Sequence, residues 1–370
     1  MIKSVALQNF KCFARKETIR LARITILYGH NGRGKSSLSQ ALLLVGQSMK
    51  ERNDLDSLLV VGSQVQLGSF AEIVSVGSKN DEIKFRLETD SEEVEIGFGP
   101  DAEKKQIGRL TTFVVNGDNR FAAQSTQSDD VETGLRRVVS STSDVSVLQQ
   151  LKDITYISAG RLGPVNDVQR NDSLPSNLIG TKGENLLNAL SHQPKEFVDS
   201  VARYLSEILG GGALNVREVG STRLELLLDS HNGDREFLPV NVGFGYSYVL
   251  PVIVGALLAE KGSVLIVENP EAHLYPRAQS RIMEFLVNQA LAKDLQIIVE
   301  THSDHVVNGL RISMKNRVLQ PSEGIIQHFG VKDDGISPDI TPITCDVNGS
   351  LSDYPDDFLD EWTEQMMQLV

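Results

Sequence analysis

The sequence predicts an α/β fold with a mixed sheet, and three observations carry that prediction. Gly29-His30-Asn31-Gly32-Arg33-Gly34-Lys35-Ser36 has the spacing G-x-x-x-x-G-K-[ST] and falls between a strand-like and a helix-like run. Residues 262–267 and 295–299 are short apolar runs bounded by charges, the pattern of strands buried on both faces of a parallel sheet. Residues 81–98 alternate instead, with Ile83, Phe85, Leu87, Val94, Ile96 and Phe98 on one face, as half-buried antiparallel strands do.

Taken in order, residues 3–9 and 19–28 read as strands, and 36–49 (SSLSQALLLVGQSM) as a helix. Residues 118–147 are rich in Ser, Thr, Asp and Gln, which predicts a mobile surface segment. Helical spacing over 184–209 places Leu186, Leu190, Val198, Val201, Leu205 and Ile208 together. A strand is expected over 223–229, then a turn at His231-Asn232-Gly233-Asp234. The apolar run 248–259 contains Pro251 and Gly255, is too short to span a bilayer and reads as a buried helix. Another helix starts at Pro276 with Ile282, Phe285, Leu286 and Ala290 on one face. With no internal repeat and no sustained heptads, no long coiled-coil arm is expected.

The 370 residues suffice for two or three domain-sized units or one large domain with an insertion. A net charge of −13 excludes a surface that is basic all over, so DNA or RNA contact would need a partner or a local groove. The arginines available for such a groove are Arg136, Arg137, Arg161 and Arg170. The two cysteines match no metal or disulfide spacing, and the first residues show no signal-peptide pattern. A cytoplasmic protein without a membrane segment is the expectation.

Four segments carry chemistry. In Gly29–Ser36 the glycines let backbone N–H groups turn inward around phosphates, and the helix start adds a favourable dipole. Lys35 would face the β/γ-phosphates, Ser36 would ligate Mg²⁺, and Ser37 follows in the helix's first turn. Second, 264–268 is a buried strand ending in Glu268, where a carboxylate emerges at the sheet edge to make a magnesium contact. A solvated strand cap would read the same. Third, 297–303 ends in Thr301-His302-Ser303, either a phosphate-sensing histidine or a helix cap with an incidental one. Fourth, Asn241–Ser247, with Gly245 and Ser247, is either an anion cradle or a tight turn with a serine cap. His192, His231 and His328 stand alone.

The opening Leu7-Gln8-Asn9-Phe10-Lys11-Cys12-Phe13, the P-loop, Leu67-Gly68-Ser69-Phe70, Tyr156–Pro164 (YISAGRLGP) and Tyr354–Trp362 (YPDDFLDEW) occur in a characteristic order. The chain resembles the ABC-type ATPases of the SMC, RecF and OLD group. More narrowly, it resembles a bacterial AAA-type ATPase family often found in anti-phage defence operons. The resemblance covers most of the chain and thins between 100 and 150. It implies an ABC-ATPase head with an antiparallel side sheet and an inserted, mostly helical subdomain. The expected division is 1–99 (P-loop half), 100–225 (insertion), 226–343 (second half) and 344–370 (tail).

The same resemblance implies ATP and Mg²⁺ as ligands. Glu268 becomes the acidic end of the second motif and His302 the switch histidine. Gly245 and Ser247 would lie in a signature loop that grips the γ-phosphate held by a second protomer. Gln64 or Gln66 would sense magnesium. Relatives end the acidic strand with Asp-Glu; here the pair is Glu268-Asn269, and an amide cannot accept a proton. Either Glu271 serves as the base, or hydrolysis is slow and ATP acts as a clamp. Tyr248 stands where the signature would carry Gln. The partners implied are a second copy of the chain, or a larger homo-oligomer, and a separate effector such as a nuclease or toxin. The alternative is a nucleotide-dependent assembly scaffold that turns over little.

Overall fold

The computed structural model describes all residues except 53–54, 79, 123–137, 140–141, 230–234, 333–337, 356–357, 360 and 370. Much of the segment expected to be mobile and the turn expected at 231–234 fall outside the described residues. The chain divides into two compact units.

The first unit comprises Met1–Ala22, Gly29–Ile154 and Gln327–Pro342. β1 (Ser4–Gln8) and β2 (Glu17–Arg20) begin an antiparallel sheet. β3 (Ile24–Gly29) belongs to the second unit except for its last glycine, which opens the P-loop ahead of α1 (Lys35–Arg52). The single strand expected over 19–28 is therefore two. Arg23, in the gap between them, is held through its guanidinium by Asp294 at 2.6 Å and Glu323 at 2.8 Å. Next come β4 (Ser57–Leu59), α2 (Phe70–Ile73), β5 (Ile83–Glu88), β6 (Glu93–Pro100), β7 (Ile107–Val115) and β8 (Asp118–Asn119). The sheet order is β2-β1-β5-β6-β7-β4, with β8 paired to β7. The alternation over 81–98 is that of a hairpin with Phe85 opposite Ile96 and Leu87 opposite Val94. Its inward face is aromatic: Phe85 meets Phe10 edge-on at 5.2 Å. β9 (Phe121–Ala122) pairs with β10 (Val138–Val139), and α3 (Ser146–Lys152) closes the segment.

The second unit comprises Arg23–Tyr28, Thr155–Ile326 and Ile343–Val370. It opens with β11 (Thr155–Ile157) and β12 (Asp167–Gln169). The helix expected over 184–209 is broken into α4 (Leu186–Ser191) and α5 (Lys195–Leu209), because Pro194 cannot continue α4 and instead starts α5. β13 (Ala213–Val219) and β14 (Arg223–Asp229) form an antiparallel sheet with β12. α6 (Phe244–Leu258), β15 (Val264–Glu268), α7 (Pro276–Lys293), β16 (Gln296–Glu300) and α8 (Asp304–Lys315) follow. β17 (Gly324–Val331) and β18 (Pro338–Ile343), most of whose residues belong to the first unit, precede α9 (Glu361–Leu369). Within this unit β11, β15, β16 and β3 run parallel in that order, so the carboxyl ends of all four emerge at one edge. Every residue of β15 and β16 is buried, as continuous apolar runs require. α6 is buried despite carrying Pro251.

Residues 100–225 divide between the units at Ile154 and carry β7, β11, β12 and β13 beside α3, α4 and α5. Only 184–209 had helical periodicity, and only there does helix dominate. Among the described residues no helix is long and apolar enough to cross a membrane.

Candidate nucleotide site

The P-loop is shaped by its glycines. Gly29 has φ 123°, and a Cβ there would lie 2.4 Å from the carbonyl oxygen of Phe329. At Gly34, φ 102°, a Cβ would fall 2.8 Å from the Phe13 ring. Gly32, φ 74°, has nothing within 4 Å, so its demand is for left-handed backbone alone. His30, Asn31 and Gly32 are exposed, Arg33, Ser36 and Ser37 half-buried. Lys35 is 3% exposed, and its Nζ folds back to donate to the carbonyls of Gly29 (2.8 Å) and His30 (2.7 Å). Those oxygens are neutral acceptors, which a phosphate oxygen would displace with a stronger, charge-assisted bond. Loop, lysine and helix start thus fit a polyphosphate. Cys12 lies 4.0 Å from the Ser37 hydroxyl, and burial pushes its thiol up, away from a thiolate.

The acidic turn is held differently. Glu268, 9% exposed, ends β15 opposite Glu300 of β16, while pairing with β11 stops one residue earlier at Ile157–Val267. Beyond that end Asn269 turns the chain with φ 44°. The carboxylate of Glu268 accepts the Ala159 N–H at 3.0 Å. Burial, and secondly the charge of Glu268, pushes the Tyr156 phenol far above its usual range. Arg161, buried at 3% exposure, donates through Nη1 to the carbonyls of Ser158 (3.0 Å) and Glu268 (2.7 Å). Its Nη2 donates to the carbonyl of Asn269 at 2.5 Å. Burial pulls the guanidinium down to about 10, against the opposing pull of Glu271 and Glu268, so it stays charged at neutral pH.

Glu271 Oε1 accepts from Asn269 Nδ2 (3.3 Å) and from the backbone N–H of His302 (3.1 Å). Its Oε2 is buried and has no hydrogen-bond partner. The His302 imidazole is exposed, and Ser303 caps α8 by accepting from His305 N and Val306 N. Tyr28, the last residue of β3 before the P-loop glycine, donates to Asp304 at 2.7 Å and meets Phe358 of the tail edge-on at 5.1 Å. The second unit thus brings Glu268, Glu271 and the His302 backbone together.

The expected signature loop differs from its sequence reading. The Ser247 hydroxyl does not lie on the surface; it is buried without a partner beside a cavity of about 30 Å³ walled by Leu162, Leu226, Leu250 and Pro251. Exposure falls instead on Gly243 and Phe244. Gly245 lets the first turn of α6 approach the Ala272–Leu274 segment, since a Cβ would sit 3.0 Å from the His273 carbonyl. The rings of Tyr248 and His273 lie 4.3 Å apart, and Phe244 joins them at 5.6 Å from His273. Of the two glutamines left open, Gln64 donates to the Ile154 carbonyl at 3.1 Å, while Gln66 is exposed. The arginine groove is also corrected. Arg161 is buried, Arg170 is paired with Asp172 and Glu218, and Arg136 and Arg137 lie outside the described residues. The bonds of Arg161 to the acidic turn were not legible; its segment, YISAGRLGP, stood out in the sequence only as a family landmark.

The fold is that of an SMC-type ABC-ATPase head. It matches an Smc head bound to the C-terminal winged-helix domain of ScpA, with TM-score 0.57 and 15% identity over 93% of this chain and 97% of that one. It also matches an Smc head with an extended coiled coil bound to the C-terminal domain of ScpA from Pyrococcus furiosus, with TM-score 0.52 and 14% identity over 100% and 99% of the two chains. The chain belongs to the family described as "AAA domain, putative AbiEii toxin, Type IV TA system", whose model matches residues 24–308. A second model, described as a protein of unknown function (DUF3696), matches residues 326–369. No curated protein sequence matches significantly.

Proposed function

We propose that the chain binds ATP with Mg²⁺, hydrolyses it, and uses nucleotide-dependent pairing of two copies to control a separate effector in anti-phage defence or DNA maintenance. Glu271 carries the catalytic part of this reading: one oxygen is fixed by two donors and the other is a buried acceptor with no partner. A base that orients water must offer such an acceptor. Lys35 would face the β/γ-phosphates and Ser36 would ligate a metal that supplies charge neutralisation there; Glu268 is the acidic residue proposed as a further metal ligand. Among the described residues no three His, Cys, Asp or Glu side chains converge, so the ion would depend on the nucleotide's own oxygens. Glu268, whose carboxylate is already oriented by the Ala159 N–H, is positioned as a ligand rather than a base. The winged-helix partner on a head of the same fold supports control of a separate protein. The family's toxin–antitoxin description supports a defence role.

Lys35→Ala should abolish ATP binding in isothermal titration, and unchanged affinity would overturn the P-loop assignment. Glu271→Gln should keep binding and lower turnover by roughly a hundredfold, the usual contribution of a positioned base. Wild-type turnover in that variant would shift the role to His302. Pairing should require ATP and Mg²⁺, and an identical mass in light scattering with and without them contradicts it. Asn269 favours a second reading, a scaffold that turns over little, because its amide cannot replace the carboxylate relatives carry there. Phosphate release no faster than that of Lys35→Ala would select it.

A further inference from the structure

We infer that Arg161 and Tyr156 form a positioning clamp that sets the geometry of both Glu268 and Glu271 for ATP hydrolysis. The inference rests on the ATPase reading above and deepens it.

Pairing of β15 with β11 ends at Val267, so the carbonyls of Glu268 and Asn269 emerge without strand partners on that side. Arg161 supplies them from one planar group, Nη1 reaching the first and Nη2 the second. Two consecutive carbonyls tied to one rigid fork fix the peptide plane between them, and with it the left-handed turn at Asn269. That turn aims Glu271, whose carboxylate is secured in turn by Asn269 Nδ2. Ala159, two residues earlier in the same segment, donates its N–H to the Glu268 carboxylate, and the Tyr156 phenol feels that carboxylate's charge. One stretch, Tyr156 to Arg161, therefore orients both acids.

A purely structural cap would not need a charge. Burying a guanidinium is costly unless opposite charges compensate, and the groups whose pull it feels are, largest first, Glu271, Tyr248 and Glu268. Its Nε has no partner, so the group is not optimised as a hydrogen-bond hub alone. The guanidinium also lies 5.9 Å from the Tyr248 ring, whose own neighbours are Phe244 and His273. The clamp thereby touches the first turns of α6 and the segment after the acidic turn. A shift in either would reach Glu271 through Arg161.

The test measures ATP affinity, kcat and KM for the full chain with Arg161→Met, Arg161→Lys, Tyr156→Phe, Glu271→Gln and the double variant Arg161→Met/Glu271→Gln. Affinity should stay within about threefold of wild type in every variant, while Arg161→Met lowers kcat by roughly 10- to 100-fold, the range of coupling between contacting groups. Lysine should restore little, since a point charge cannot span two carbonyls. Tyr156→Phe, which deletes only a hydroxyl, should lower kcat by roughly threefold or more and raise the Mg²⁺ concentration for half-maximal rate. The double variant should be no slower than Glu271→Gln, whereas a merely structural arginine would multiply the two losses. If Arg161→Met does not fold, Arg161→Lys and Tyr156→Phe decide, and wild-type kcat in both overturns the clamp. Wild-type turnover of Glu271→Gln overturns the base assignment; an inactive Glu271→Gln beside fully active Arg161 and Tyr156 variants overturns the clamp alone.

Discussion

The P-loop and the acidic turn are both bends at the carboxyl end of a buried parallel strand, and both enter left-handed backbone. They are stabilised by opposite means. The P-loop excludes side chains: Gly29 and Gly34 are glycines because backbone and ring atoms occupy the space a Cβ would take. The acidic turn recruits side chains: Asn269 carries the left-handed position, and Arg161, more than a hundred residues earlier, satisfies its carbonyls. A bend built on exclusion is fixed by its own sequence, whereas a bend built on recruitment needs a distant segment to be in place.

The contrast is broken most severely at Gly29. Gly29→Ala puts a methyl 2.4 Å from a backbone oxygen in an unfavourable φ, and should destabilise by about 3 kcal/mol or more while abolishing ATP binding. Gly32→Ala, with open space around it, should cost only the backbone preference, about 1–2 kcal/mol. Urea denaturation of the pair checks the order, and equal losses would mean that sterics do not shape the loop. On the other side, Asn269→Ala should cost about 1 kcal/mol in the same assay, while Asn269→Gly should be close to neutral, since glycine accepts the turn freely. A glycine variant as unstable as the alanine one would place the turn's stability in the amide contact to Glu271 instead.

The smallest effect is expected at Glu72, a bend of the recruiting kind on a local scale. Its carboxylate accepts from the backbone N–H and the hydroxyl of Ser69 and is held below its usual range by those bonds. A depressed carboxylate contributes stability above its unfolded pKa and loses it as pH falls through the folded one. Glu72→Gln should therefore melt slightly below wild type near neutral pH and coincide with it in acid. A difference that persists at low pH would show the charge to be irrelevant.

The legibility of the sequence follows the same division. G-x-x-x-x-G-K-S is local, so loop, strand and helix could be read without the fold, as could the hairpin over 81–98. Buried strands ending at Glu268 and Glu300 were legible from continuous apolar runs. Pro194, read as part of one helix, breaks it because the spacing of apolar residues carries no penalty for a missing N–H. The spacing left Ser247 open between an anion cradle and a turn cap, and only the resemblance placed it in a signature loop, since which way a hydroxyl turns at a helix start depends on what packs there. Arg161 could be named in the sequence only as part of a family landmark and as one arginine available to a groove, because a net charge and a residue type say nothing of burial. The value of Tyr156 and Arg161 exists only once β11 lies against β15.

The position of β3 has a consequence for how the protein is made. Ile24 pairs with Ile297 and Leu27 with Glu300, so the strand that carries the P-loop waits for a neighbour more than 270 residues further along the chain. At ribosomal speeds of about 5–20 residues per second, that is roughly 15 to 55 s during which an apolar, β-branched segment has left the ribosome without its permanent partner. Contacts of such long sequence separation also form slowly once the chain is free, because loop closure must precede any gain from pairing. The antiparallel sheet, whose strands come mainly from the first 115 residues, can assemble earlier. The nascent protein therefore passes through a stage with one half built and its nucleotide strand still unpaired, the interval in which a chaperone has most to protect.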